Sequence, residues 1–305
     1  MSDRGKSEDA VEPVPEEKGT GRTAAWRLLA ANPITLGSAI CLLVIFVLAF
    51  AGPWIAPFGI NSVNISDALM PPSATYWLGT DDLGRDIFSR VVIAGGASLR
   101  IAIISVAFAV IVGVPIGLIS GYVGGVVDNI LMRMVDVMFA FPVLLLALAI
   151  VSILQPSELT TMIAIGVVYT PIFARVVRGS TLSVRVEPFV QVSQTMGTPG
   201  WVILRRHVLP NITGPLIVQI SLSLAFAILS EAALSFLGLG IQPPDPSWGG
   251  MLFAAQGFIS QAWWMSVFPG AAIFVTVLAF NLLGDGMRDV LDPKQRTLAE
   301  QRRGS

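Results

Sequence analysis

Charge is scarce in this chain. Asp, Glu, Lys and Arg make up only 13% of its 305 residues, about half the roughly one quarter that a soluble domain carries. With 54% hydrophobic residues and a mean hydropathy of +0.74, most of the surface cannot face water, which excludes an ordinary soluble protein. A basic excess is missing too. The formal net charge of -1 leaves nothing to neutralise phosphates, so no nucleic acid is expected as a partner. Histidine and cysteine each occur once, as His207 and Cys41, and one cysteine cannot form an intrachain disulfide. An intramembrane enzyme needs a nucleophile with a base, or clustered metal ligands. Two such residues on different segments do not supply either, so no catalytic residue, no metal site and a non-catalytic role are expected. A phosphate-cradling loop is also lacking. Gly5-Lys6-Ser7 has no room upstream for the glycine that the motif requires, so the chain itself is not expected to bind ATP.

What the chain does have is long apolar runs, each near the ~20 residues needed to cross a bilayer. The first is Ile34–Gly52. Ala49-Phe50-Ala51 mimics a signal-peptidase site, but the residues before the run are rich in Asp and Glu, unlike a signal n-region, and an uncleaved anchor is expected. Further runs cover Leu99–Ser120, Val135–Leu154, Thr161–Val177, Ile212–Leu237 and Met265–Leu283, with a tight turn, "QPSELT", between the third and fourth spans. The reading is an all-α membrane protein of about six transmembrane helices. Sixteen of the nineteen Lys and Arg residues fall in residues 1–33, at Arg133, in Arg175–Arg206 and in Arg288–Arg303. By the positive-inside rule those segments are cytoplasmic, and so are both termini. Residues 1–33 read as a disordered tail, being polar, Pro/Gly-rich and poor in large apolar groups.

One segment stands out between the fourth and fifth spans, "QVSQTMGTPGWVILRRHVLPN", Gln191–Asn211. Pro188 suits a first helical turn, and Phe189, Val192 and Met196 fall on one face. Gly197 supplies a C-cap, Pro199 opens a second short helix sharing Trp201, Leu204 and Val208, and Pro210 stops it. A loop resting its apolar stripe on lipid would look similar. The segment is nevertheless too long for a turn, and its stripe has no soluble domain of its own to cover it, which is what a docking helix for a separate subunit needs.

The spacing also carries a resemblance. Gln191-Val192-Ser193, Gly197 and His207-Val208-Leu209-Pro210 follow the E-A-A, G, I-x-L-P loop of the inner-membrane permease subunits of ABC importers. Glycine, leucine and proline match, whereas Gln replaces Glu, Val-Ser replaces Ala-Ala and His replaces Ile. "WLGTDDLGRDIFSRVVIAGGASL" (Trp77–Leu99), "SEAALSFLGLGIQPPDPSWG" (Ser230–Gly249) and "FPGAAIFVTVLAFNLLGDGMRDVLDP" (Phe268–Pro293) resemble the dipeptide/oligopeptide/nickel branch, and within it the dipeptide permease C-type. The resemblance implies the transmembrane domain of a type I ABC importer and an expected layout. Residues 1–33 are a tail, 34–96 the first span with an external loop, 97–290 the transmembrane domain with a coupling loop at 178–211, and 291–305 a second tail. It further implies a second homologous permease, two ATPase domains carrying ATP and Mg, an extracytoplasmic substrate-binding protein and surrounding membrane lipid. ATPase coupling falls to Gln191, Val192, Ser193, Gly197, Leu209 and Pro210. Peptides are the expected cargo because peptide carriers dominate the branch; nickel or another small solute is the alternative.

Other residues were assigned from spacing. Gly113, Gly117, Gly121 and Gly125 recur every four residues, a helix-packing stripe, with a gating hinge at Pro115 as the sharper alternative. Glu231 is the only acid well inside a span, where an ionisable group is a functional candidate by default. Substrate contact, a proton site and a structural hydrogen bond are open to it; the last is what the resemblance implies, since "SEAALSFLGLG" resembles a block of the family whatever the substrate. Arg133 and Asp136 are spaced for a helix-surface pair. "DDLGRD" either meets the binding protein or caps a helix through Asp82. Phe253, Phe258, Trp263 and Trp264 are expected at the membrane interface. A self-contained secondary transporter would want more midplane charge and an internal repeat, and neither occurs.

Overall fold

The computed structural model describes residues 32–291, and among them every regular element is a helix apart from one isolated β-bridge between Thr80 and Asp86. The expected tails, residues 1–33 and 291–305, lie almost wholly outside the described residues. Helix α1 spans Pro33–Ile55, with Asn32 accepting the Ile34 N–H at 3.0 Å and proline in the first turn. α2, Ile87–Val123, has 37 residues; at 1.5 Å per residue it is about 55 Å long, far more than the ~30 Å hydrocarbon core. The expected span Leu99–Ser120 is therefore its inner part, and Ile87–Ser98 projects beyond it. The cap is Asp86, whose carboxylate accepts the Ser89 N–H at 2.8 Å. Asp82, for which capping a helix was one of two expected roles, sits in the preceding turn instead.

The third span is not straight. α3, Gly125–Phe139, and α4, Val143–Leu154, form a pair bent by 86°. Pro142 lacks an N–H, and its ring pushes Phe141 away from helical geometry, so the continuous run expected over Val135–Leu154 breaks there. α5, Glu158–Arg185, begins in a capping box, Ser157 with Thr160, which closes the "QPSELT" turn. α6 (Pro188–Thr195), α7 (Gly200–Ile203), a π-turn (Leu204–Val208) and α8 (Leu209–Asn211) lead to α9, Thr213–Phe236. α10, Trp248–Ala255, lies across the far end, and α11, Trp264–Leu291, completes the bundle. Five of these helices are long and apolar enough to cross a membrane, and the bent pair is the sixth candidate crossing.

α2 and α5 form the centre of the bundle, and three of the four spaced glycines explain how closely they approach. A Cβ on Gly113 would stand 2.7 Å from the Thr170 carbonyl oxygen, and one on Gly121 would stand 2.9 Å from that of Arg178. The stripe thus packs within the chain. Gly125 does not belong to it. Nothing lies within 4 Å of a Cβ there, and φ is +58°, so its role is the left-handed turn between α2 and α3 that glycine enters without strain.

Long-range contacts tie the far end together. The Trp264 indole donates to the Thr80 carbonyl at 3.0 Å, the Trp248 indole to Val91 at 2.9 Å, and Arg90 to Ile60 at 2.7 Å. Trp264 is buried and joins the loop before α2 to the start of α11, rather than marking an interface as expected. Trp263 and Phe253 remain exposed. In the same loop Tyr76 donates to the Asp67 carboxylate at 2.8 Å, and that bond holds the phenol above its ordinary pKa.

Candidate functional site

The Gln191–Asn211 segment forms the end of the bundle opposite the Trp248–Trp264 loops. Its anchor is a small apolar cluster in which Val190, Ile203, Val208 and Ile212 bury themselves with Val114 of α2 and Val177 of α5. Val190 was not singled out by periodicity, because the pattern marks the stripe of Phe189, Val192 and Met196, read as a face left free for a partner. That stripe points away from the chain: Phe189 is 42% exposed, Val192 56%, Met196 80% and, across the turn, Trp201 66%. Gln191 donates to the Val186 carbonyl at 3.0 Å and Ser193 to Phe189 at 2.8 Å, so both side chains tighten their own helix. Gly197, at φ +76°, follows the last turn of α6, a left-handed position at which glycine costs least.

Two expectations about the second half change. Pro210 does not stop a helix; it lies in the first turn of α8, and the chain continues almost unbroken toward α9. The missing proline N–H is accommodated by widening the preceding turn, where the Leu209 N–H reaches back five residues to Leu204. That extra residue also rotates the face. Trp201, Leu204 and Val208 do not share one surface, since Trp201 is exposed, Leu204 half-buried and Val208 buried. Leu209 packs on the small cluster, and Pro210 is exposed.

Two ion pairs brace α3 against α5 nearby. The Arg178 guanidinium grips Asp128 with Nε–Oδ1 and Nη2–Oδ2 both at 2.6 Å, and the Ser120 hydroxyl donates to the same carboxylate. Asp136 pairs with Arg175 at 2.6 Å, not with Arg133 as spacing suggested. Arg175 stacks 3.9 Å over the Phe139 ring, just before the bend, and this three-way contact outcompetes the local i−3 partner. Asp128 is mostly shielded and Arg178 about one-third exposed, so Asp128→Asn is expected to cost about 1 kcal/mol. A double-mutant cycle with Arg178→Gln, read by thermal unfolding in detergent, measures it. A coupling energy near zero would mean the bidentate pair is idle.

Near the other end, Glu231 is fully buried in α9. Ser235 donates to its Oε1 at 2.7 Å, and Oε2 has no hydrogen-bond partner among the described residues. Ser98 of α2 and Ser247, the N-cap of α10, stand beside the same carboxyl. A cavity of about 510 Å³ opens next to Ser235 and Ser247, lined also by Asp81, Arg85, Arg90 and Asp245. Among the described residues no three His, Cys, Asp or Glu side chains converge as metal ligands.

The described residues thus form a bundle of candidate membrane-crossing helices with a helix–turn–helix packed at one end and offering an apolar face outward. Residues 113–297 match the family described as binding-protein-dependent transport system inner membrane component, and residues 23–72 match the N-terminal transmembrane domain of oligopeptide transport permease C. The chain belongs to this family of importer permease subunits and is a multi-pass membrane protein. It is 40% identical over 285 residues to the probable D,D-dipeptide transport system permease protein of Escherichia coli (strain K12), covering 93% of this chain and 95% of that one. Over 288 residues it is 42% identical to a dipeptide transport system permease protein of Alkalihalophilus pseudofirmus, with the same coverage of each chain. A glutathione transport system permease protein of Pectobacterium atrosepticum is 41% identical over 273 residues, 89% of this chain and 91% of that one. The fold is also that of an inward-facing MetNI methionine ABC transporter chain, with a TM-score of 0.55 at 15% identity over 64% of this chain and 93% of that one.

Proposed function

We propose that this chain and a second homologous permease form the translocation path of an ATP-driven importer for di- or oligopeptides. An extracytoplasmic binding protein delivers the cargo, and two ATPase domains, which carry the ATP and Mg, dock on the Gln191–Asn211 segment. The observation that carries the reading is mechanical. α6 is fixed to the bundle through Val190, and the run that follows it through Ile203 and Val208, while Phe189, Val192 and Met196 face outward, so a partner gripping that face moves α2, α5 and α9 with it. In the resulting cycle, ATP-driven closure of the partners pushes on α6 and opens the path outward, and hydrolysis resets it. The distribution of Lys and Arg supports a cytoplasmic position for this segment and for both termini. The peptide cargo is supported by the names of the relatives, which are permeases for dipeptides and glutathione.

Uptake of a labelled dipeptide and of nickel, measured side by side in cells with and without the chain, tests the cargo. Loss of peptide uptake alone supports the reading, and loss of nickel uptake alone replaces the cargo. Docking is tested by Val192→Glu with Met196→Glu. Both positions are exposed, so the fold is expected to survive. Placing two carboxylates in an apolar contact is expected to reduce ATPase co-purification and uptake by roughly a hundred-fold. Unchanged co-purification would move the docking site elsewhere.

A further inference from the structure

Beyond the docking face, α7 and the π-turn carry a second surface feature. Trp201, Val202, Arg205 and Arg206 line a groove of about 430 Å³. Trp201 and both arginines are exposed, and among the described residues neither guanidinium takes part in an ion pair. No acid occurs in the sequence between Glu187 and Glu231, so the segment provides no counter-charge. Residues four apart share a helical face, which aligns Trp201 with Arg205. The widened turn then brings Arg206 to the same groove.

The position of the groove matters as much as its charge. Arg206 precedes the start of α9, a membrane-crossing candidate, by seven residues. At 1.5 Å per residue along nearly continuous helix that is about 10 Å, and the headgroup layer on each side of the hydrocarbon core is roughly 5–8 Å deep. An indole with its apolar body and N–H donor suits that layer, and a guanidinium fork matches the oxygens of a phosphate. We infer that this groove holds the headgroup phosphate of an anionic phospholipid, gripped by Arg205 and Arg206 with the Trp201 ring against the acyl boundary. An acidic protein surface would satisfy the charge as well. The bilayer is favoured because the run climbs directly into a span, whereas the apolar docking face lies on α6, across the Gly197 turn. The inference needs α9 to lie in a membrane; it needs neither a peptide cargo nor ATPase docking on α6.

The test is native mass spectrometry of the full-length purified chain titrated with dioleoylphosphatidylglycerol or dioleoylphosphatidylcholine. The wild type is expected to retain the anionic lipid preferentially. Arg205→Gln with Arg206→Gln is expected to weaken that binding by roughly ten-fold or more, while Arg205→Lys with Arg206→Lys, which keeps the charge and loses the fork, is expected to fall between the two. Arg100→Gln, at the opposite end of the bundle, is expected to leave it unchanged. Trp201→Ala, at an exposed position, provides a second readout if the double variant fails to fold, and it too is expected to lose selectivity. Equal retention of both lipids by the wild type would overturn the inference, as would undiminished binding by the double glutamine variant. If that variant binds lipid normally yet no longer co-purifies with the ATPase subunits, an acidic protein surface is the occupant instead.

Discussion

A chain carrying Gly117→Leu is expected to be synthesised but lost from the membrane, with neither a folded monomer nor an assembled complex recoverable in detergent. A Cβ at this position would stand 2.5 Å from the Ala174 carbonyl oxygen, 2.7 Å from the Val177 Cβ and 2.9 Å from the Arg178 amide nitrogen. Two of those three neighbours are backbone atoms of α5, so no rotamer change relieves the clash. Inserting methylenes into a packed core costs about 1–3 kcal/mol even where side chains can yield. Here the whole α2–α5 contact must open, exposing Gly113 and Gly121 from their seats as well. Membrane helices have little hydrophobic drive to hold them together once close packing is lost. Gly125→Ala is the informative control. It has open space around the Cβ but a left-handed φ, so it is expected to cost only about 1 kcal/mol. Recovery of Gly117→Leu in wild-type yield, with partners attached, would show that the stripe is not what sets the distance between α2 and α5.

Glu231→Gln is expected to lower stability by about 2 kcal/mol and to reduce the amount of assembled transporter, without altering the ratio of uptake between one peptide and another. The Ser98 hydroxyl oxygen already accepts the Trp248 N–H, and the Ser247 hydroxyl oxygen accepts the Gly250 N–H. Each keeps a proton and one lone pair, whereas Ser235 donates to Oε1 at 2.7 Å and Oε2 has no partner among the described residues. A carboxyl can receive donors on both oxygens, whereas an amide turns one of those positions into a further donor. Leaving buried hydroxyls and an amide unsatisfied carries a penalty of that size. Because the three serines belong to α2, α9 and the start of α10, the loss should loosen the loop between Gly238 and Ser247 and the cavity that it roofs. Thermal unfolding of the purified complex, together with uptake of two labelled peptides in competition, provides both readings. Intact assembly with a changed peptide preference would make Glu231 a substrate contact and overturn the structural role.

Much of the fold is a local property of the chain. Each span announces itself because about twenty consecutive apolar residues are needed at that place whatever packs beside them, and the runs from Ile34 to Leu283 mark five single helices and the bent pair. The segment carrying Gly197 and Pro199 is equally legible, since glycine and proline restrict the backbone at their own positions. Three things were decided only when distant residues met. Asp136 chose Arg175 across the bundle over Arg133 on its own helix, because Phe139 and α5 together provide a better site than a solvated neighbour. Trp264 left the interface to bond with Thr80, 184 residues away, a contact that no periodicity encodes. Val190 became the anchor of α6, while the stripe read as a docking face stayed outward. Helical spacing identifies two faces but cannot say which one the rest of the chain will cover. The apolar runs thus belong to the sequence, whereas the bend at Pro142, the continuation through Pro210 and the pairing of faces belong to the tertiary structure, where each surface is assigned by competition among all the others.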